Sequence, residues 1–146
     1  MKVQWTLYNI ALPTSVMVTL AYWMLLYKPG ESVLSFGNIS THAANVVLML
    51  IEEYCSRMPT RILHLYQPIT YCVIYGIFNI SVWGVSQLVI YSIFDWTSSP
   101  GFAAGLLIAM LVGYGIVQFF LFVIYFLLHK YFESVTPVLN RDIPLQ

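Results

Sequence analysis

Long uncharged runs dominate this chain. Residues 3–27, 62–94 and 96–128 contain no Asp, Glu, Lys or Arg, so the ionisable side chains are concentrated in the short segments between them. A helix needs roughly 20 apolar residues to cross about 30 Å of hydrocarbon, where its own hydrogen bonds must satisfy the backbone. Only 8% of the residues are charged, against about 25% in an average soluble domain. The sequence therefore predicts an all-α integral membrane protein.

A fourth, less apolar segment completes the predicted bundle. Residues 41–55 carry His42, Asn45, Glu52 and Glu53 among apolar side chains, and with the uncharged stretch from Ser32 they are long enough to span. We predict one transmembrane domain, residues 1–131, followed by a polar cytoplasmic tail, residues 132–146. The four predicted transmembrane helices cover about residues 5–27, 41–55, 65–91 and 102–129.

The basic residues fix the predicted orientation. Lys28 falls alone on one side of the four-helix arrangement, and the other side holds Lys2, Arg57, Arg61, Lys130 and Arg141. Because cytoplasmic loops carry the excess of Lys and Arg, both termini are predicted to be cytoplasmic. The outer loop then contains the sequon at Asn38, a possible glycosylation site with an unmodified asparagine as the simpler alternative. A second sequon at Asn79 lies inside the third helix and is expected to be silent.

Helix two carries polar side chains that need an explanation inside a bilayer. At about 100° per residue, His42, Asn45, Met49 and Glu52 fall within about 80° of arc, so this polar face is expected to turn away from lipid. Ionisable groups at the bilayer centre cost about 2.5–3.5 kcal/mol and usually face a bundle interior, a wet cavity or the interface. Two roles remain open for His42 and Asn45: interhelical hydrogen bonds that fix packing, which we favour, or a functional pocket.

The cytoplasmic end of helix two is rich in charge. Glu52 and Glu53 precede Arg57 by four or five residues, and Arg61 follows, so an interfacial salt-bridge cluster is expected there. No group of His, Cys and carboxylate residues has metal-ligand spacing, so neither a metal nor another cofactor is predicted. The net charge of +0 gives no reason to expect a nucleic-acid partner.

Helix four carries a stripe of small residues. The stripe recurs every four residues and consists of Gly101, Gly105, Ala109 and Gly113. Small side chains let another helix approach backbone to backbone, which is how helices associate where lipid offers no hydrophobic contrast. The partner helix belongs either to this chain or to another, so a homo- or hetero-oligomer within the lipid bilayer is expected.

Several marks occur in order along the chain. They are Trp5, Pro13, Tyr22-Trp23, His42, Asn45, Glu52, Pro59-x-Arg61-x-x-His64, Tyr75-x-x-Phe78, Ile90-Tyr91 and Asp95-Trp96. Together they resemble the rolling stone-like family of multi-pass membrane proteins, over about residues 5–131. The resemblance implies a role in membrane or cell-surface interactions such as myoblast fusion, at the plasma membrane rather than the endoplasmic reticulum.

A more distant similarity is to the androgen-induced membrane proteins, which hydrolyse fatty acid esters of hydroxy fatty acids with an intramembrane threonine and histidine. The pairs Trp5 with Pro13 and His42 with Glu52 keep that family's spacings, so His42 resembles its catalytic histidine. In that family the threonine nucleophile lies on a helix before the segment that Trp5 begins. The similarity therefore implies that this chain corresponds to the carboxyl-terminal four helices of a longer pattern, with a base but no nucleophile.

Three classes of function follow from these patterns. The favoured one is a non-enzymatic, rolling stone-like membrane protein that acts through helix association. The alternative is an intramembrane lipid hydrolase centred on His42. A transporter or channel is the third, but the sequence lacks the pair of Gly/Pro-interrupted helices and the lining charges typical of that class.

Overall fold

The chain is an all-helical bundle in the computed structural model, which describes residues 2–29, 35–56 and 58–141. The all-α class predicted from the sequence is confirmed. One π-helical turn extends the first helix, a second joins the next two helices, and a 3₁₀ turn precedes each of the last two. In chain order the elements are α1 (Lys2–Ala21), a π-helical turn (Tyr22–Leu26), α2 (Phe36–Ile39), a second π-helical turn (Ser40–Ala44), α3 (Asn45–Ser56), a 3₁₀ turn (Ile62–Leu65), α4 (Tyr66–Ser86), a 3₁₀ turn (Ser92–Phe94) and α5 (Pro100–Arg141).

Three helical stretches of the described chain are long and apolar enough to cross a membrane. They are Val3–Leu26, Ile62–Ser86 and Pro100–Val135. The predicted second span is not among them, because its polar side chains, such as His42, Asn45, Glu52 and Glu53, lower its mean hydropathy; its regular part, α3, has 12 residues. Its α2, π-helical turn and α3 nevertheless follow one another without a break from Phe36 to Ser56, and we call this rod the α2–α3 segment.

Two helix ends differ from the predicted ones. The third predicted helix ends at Ser86 rather than near residue 91, because Gln87 adopts a left-handed backbone with φ 56°. The Gln87 N–H then donates to the carbonyl of Trp83 at 2.8 Å, as at many helix C-termini. The last helix continues to Arg141, so much of the predicted polar tail is helical. Residues 142–146 lie outside the described part of the chain.

The core lies where α1, α4 and α5 meet. Its buried side chains are Tyr8, Leu12, Met17, Cys72, Tyr114, Val117 and Leu121. Many large apolar side chains point outward instead, such as Val85 at 90% and Leu63 at 81% exposure. A soluble protein does not display contiguous apolar surface on this scale, so the exposed side chains fit a bundle that is surrounded by lipid.

The connection between α4 and α5 is fixed by two tryptophans. Trp96 Nε1 donates to Asn79 Oδ1 at 2.8 Å, and Trp83 Nε1 donates to Thr97 Oγ1 at 2.9 Å. Asn79 is buried within α4, so its side chain is a structural acceptor and its sequon is inaccessible. Asp95 accepts hydrogen bonds from the backbone N–H groups of Ser98 and Thr97, both at 2.9 Å, and these bonds lower the pKa of its carboxyl.

Candidate functional site

The two π-helical turns meet face to face at an aromatic stack. Tyr22, at the start of the first turn, lies parallel to His42 in the second, with ring centroids 3.8 Å apart and an interplanar angle of 4°. Trp23 Nε1 donates to the backbone carbonyl of His42 at 3.1 Å, which gives the two turns a second contact. Short π-helical turns occur frequently at functional sites. The imidazole is therefore held rigidly between two helical segments.

One atom of that imidazole has no partner. His42 is half-buried, and its Nδ1 is fully shielded without a hydrogen bond to any described residue. A buried polar atom that lacks a partner costs about 1–3 kcal/mol. Because the atom is shielded, it does not face the space around the stack, and the contact that His42 offers to a bound molecule is the rest of its ring.

His42 lies in the wall of a large cavity. The cavity has a volume of about 560 Å³ and lies between α1, α4, α5 and the two π-helical turns. Most of its lining is apolar, and its polar side chains other than His42 are Thr14 and the tyrosines Tyr22, Tyr71, Tyr75, Tyr91 and Tyr114. Tyr114 donates to Thr14 Oγ1 at 3.2 Å. A pocket of about 300–1,000 Å³ with few polar groups is typical of a site for a small apolar ligand.

The predicted polar face of helix two is only partly inward. His42 lines the cavity as expected for an inward residue, but Asn45 and Glu52 are exposed. Glu53 is the buried carboxylate, with 2% exposure. The inward face is thus rotated from the predicted one, and it passes from His42 through Met49 to Glu53.

Glu53 takes part in a buried polar cluster, and the predicted interfacial salt bridges of Glu52 and Glu53 with Arg57 or Arg61 stay a prediction. The hydroxyl of Tyr8 donates to Glu53 Oε2, and Thr60 Oγ1 donates to Glu53 Oε1 at 3.1 Å. Tyr8 and Thr60 are themselves buried. Arg57, one of the predicted partners, lies outside the described residues. We call these three residues the Tyr8–Glu53–Thr60 cluster; it ties α1 to α3 and to the following loop.

Several of the family-typical residues, although distant in the sequence, contact one another beside this cluster. Trp5 Nε1 donates to the carbonyl of Pro59 at 3.4 Å, and its ring packs edge-on against His64 at 4.1 Å between centroids. The buried side chain of Gln118 on α5 donates to the carbonyl of Arg61 at 2.9 Å. The motif Pro59-x-Arg61-x-x-His64 therefore has a structural role. Side chains of α1 and α5 bond to its backbone, and its Thr60 bonds to Glu53 of α3.

The small-residue stripe of α5 divides into two parts. A Cβ added at Gly113 would come within 2.8 Å of Met17 Cε, whereas one added at Gly101 or Gly105 would meet nothing within 4 Å. Ala109 lies between these parts and lines the cavity. The predicted stripe is therefore an internal contact at one end and an open surface at the other.

Sequence reasoning did not single out Tyr8, Thr14 or Tyr114. Their signal was available, since each is a hydroxyl-bearing residue in or beside a segment with few charges. Which of them pair could not be known without the packing of the helices. Asn38, the possible glycosylation site, lies in α2 one turn after Ser35, whose side chain caps that helix by accepting from the Asn38 N–H at 3.2 Å.

Comparison with known proteins supports the resemblance to the rolling stone-like family. A family model described as protein rolling stone matches residues 1–142. The protein rolling stone of Drosophila melanogaster is 28% identical over 106 residues, an alignment that covers 67% of this chain and 38% of that protein. The chain thus spans less than half the length of that relative. No solved structure matches the chain. With its apolar helices and the match over nearly its whole length, the chain is a multi-pass membrane protein that belongs to the rolling stone family.

Proposed function

We propose that this chain acts without catalysing a reaction, as a membrane protein in membrane or cell-surface interactions such as cell fusion. The proposal places it in the plasma membrane with both termini in the cytoplasm, the orientation that its Lys and Arg residues favour. This orientation requires the α2–α3 segment to cross the bilayer as a fourth span beside the three long apolar helices. Its partner is a second copy of the same chain, bound through the open part of the α5 stripe.

The observation that carries this proposal is the open surface at Gly101 and Gly105. Both glycines are exposed on an apolar, membrane-spanning helix, and neither has a neighbour within 4 Å of where a Cβ would stand. Two glycines four residues apart form a flat surface on which an identical helix can pack backbone to backbone. Such a surface is complementary to itself, as a symmetric dimer requires.

Replacing Gly105 by leucine is expected to weaken self-association about tenfold, because the added side chain keeps the two backbones apart. The measurement is energy transfer between donor- and acceptor-labelled copies in lipid vesicles, titrated over the protein-to-lipid ratio. Gly84→Leu is the matched control, since Gly84 is equally open but lies on α4. Unchanged association of Gly105→Leu, or an equal loss for Gly84→Leu, would contradict the proposal.

A lipid hydrolase centred on His42 is the second candidate, and the position of His42 in the cavity wall supports it. The aliphatic hydroxyl on the same wall is that of Thr14, which Tyr114 already contacts. Thr14 lies eight residues before Tyr22, or about 12 Å along the helix, too far from the stacked imidazole for direct proton transfer. The geometry therefore favours binding over hydrolysis.

The hydrolase is tested by incubating the purified protein in detergent with a fatty acid ester of a hydroxy fatty acid. If the chain is an enzyme, the wild type releases fatty acid and His42→Ala loses at least 100-fold of that rate, as expected on loss of a general base. Equal release by the two proteins would exclude His42 as the base.

A further inference from the structure

The lining of the cavity extends along several turns of two helices. Along α1 and its π-helical turn the lining extends from Thr14 to Leu26, and along α5 from Leu106 to Val117. These stretches correspond to roughly 18 Å and 16 Å of helix. One leaflet of the hydrocarbon core is about 15 Å thick. The cavity is therefore as long as a lipid acyl chain in one leaflet.

The walls of the cavity favour an apolar occupant from the bilayer. Most lining side chains are aliphatic, aromatic or methionine, and an empty apolar cavity forfeits the dispersion contacts that a filled one makes. Met24 and Ile116, which line the cavity, are also 74% and 53% exposed, so the cavity is open at the side of the bundle. The apolar molecules that can enter from that side are lipids.

His42 gives the cavity a polar end. Its ring is fixed by the stack on Tyr22 and forms part of the cavity wall, toward the Leu26 end of the lining on α1. A carboxyl or hydroxyl group on a lipid can form a hydrogen bond with a neutral imidazole in either tautomer. Thr14 and Tyr114, toward the other end of that stretch, already bond to each other, which leaves the end near Tyr22 and His42 for the polar group of a ligand.

We propose that the cavity binds a single fatty acyl chain, with the polar end of that lipid hydrogen-bonded to His42. The acyl chain lies between α1 and α5, where its methylene groups contact the apolar side chains that line the cavity. This site is separate from the open glycines of α5, so it goes beyond the proposed self-association and does not depend on it.

The test uses a fatty acid that carries a photoreactive diazirine on its chain, added to the purified full chain in phosphatidylcholine nanodiscs. Ala109→Phe is expected to reduce labelling about tenfold, because the ring fills the cavity that Ala109 lines. Ala104→Phe is the matched control, since Ala104 is exposed on the same helix and does not line the cavity. Loss of labelling in both variants to the same extent would overturn the proposal.

The polar end is tested with His42→Phe, which keeps a ring that can stack on Tyr22 and removes the nitrogen. Labelling is expected to fall about fivefold, the effect of one lost hydrogen bond. Asn45 is exposed on the same α2–α3 segment, so Asn45→Ala should be labelled to the same extent as the wild type. Full labelling of His42→Phe would overturn the role of His42.

A measurement on the wild type alone guards against variants that do not fold. Unlabelled oleate should compete with the probe to saturation, and cholesterol at the same concentration should not. Effective competition by cholesterol, or no competition by oleate, would overturn the proposal of an acyl-chain site. Gly105→Leu should label normally, so that failure of self-association and failure of lipid binding are observed independently.

Discussion

Replacing Glu53 by leucine is expected to lower the free energy of unfolding by about 2–4 kcal/mol. The carboxylate accepts hydrogen bonds from Tyr8 and Thr60, and all three side chains are buried. Its loss leaves two buried hydroxyls without an acceptor, at about 1–3 kcal/mol each in the absence of rearrangement. The stability is measured by thermal unfolding of the full chain in detergent, followed by circular dichroism at 222 nm.

Glu52 supplies the matched control for this prediction. It is the preceding residue of α3, has the same side chain and is exposed, so Glu52→Leu should change the unfolding midpoint little. Tyr8→Phe should cost less than Glu53→Leu and should add little to it in the double variant, because both changes break the same bond. Additive effects of the two changes, or equal effects of Glu52→Leu and Glu53→Leu, would show that the Tyr8–Glu53–Thr60 cluster does not stabilise the fold.

The main elements of the fold could be predicted from the sequence, because the bilayer constrains them strongly. A backbone in hydrocarbon must be helical, so charge-free runs such as residues 3–27 and 96–128 directly indicate spanning helices. The helix ends are local events that hydropathy does not record. Gln87, a non-glycine residue in the left-handed conformation, ends α4 within an uncharged run, and no composition rule points to it.

The candidate site was predicted less completely, since its residues are paired by tertiary packing. The predicted face of helix two followed the polar residues His42 and Glu52, which are about 80° apart around an ideal helix. On the same ideal helix Glu53 is only about 20° from His42, and it is the carboxylate that is buried. The choice between two adjacent glutamates depended on the hydroxyls of Tyr8 and Thr60, which come from other elements.

The aromatic stack at the cavity shows the same limit. The marks Tyr22-Trp23 and His42 could be identified in the sequence, but their contact requires two π-helical turns to face each other. A π-helical turn adds one residue to a helical turn, so it shifts every later side chain around the helix axis. Ideal spacing at 100° per residue therefore fails across residues 22–26 and 40–44.

The small-residue stripe of α5 also combined two separate surfaces. Residues four apart on an α-helix are displaced by about 40° around its axis, so three such steps turn the stripe by about a third of a circle. Gly101 and Gly105 face outward as a result, while Gly113 faces α1. Equal substitutions at Gly105 and Gly113 should consequently have different effects.

Gly113→Leu is expected to destabilise the bundle itself, by about 1–3 kcal/mol, as overpacking usually does. A Cβ at this position would come within 2.8 Å of Met17 Cε and 3.2 Å of Met17 Sδ, and Met17 is buried in the core. Gly113→Ala should cost much less, because the end of a methionine side chain can move aside to accommodate one methyl group. The unfolding midpoint in detergent is again the measurement.

Coupling to Met17 distinguishes overpacking from a general effect of glycine replacement. Met17→Ala alone removes core volume and should destabilise the bundle, but combined with Gly113→Leu it should cost less than the sum of the two changes, since the leucine fills the vacated space. Gly105→Leu should leave the unfolding midpoint unchanged, because its side chain extends into open space. If Gly105→Leu and Gly113→Leu destabilised the chain equally, or if Met17→Ala and Gly113→Leu were strictly additive, the contact between α1 and α5 would not be the one described.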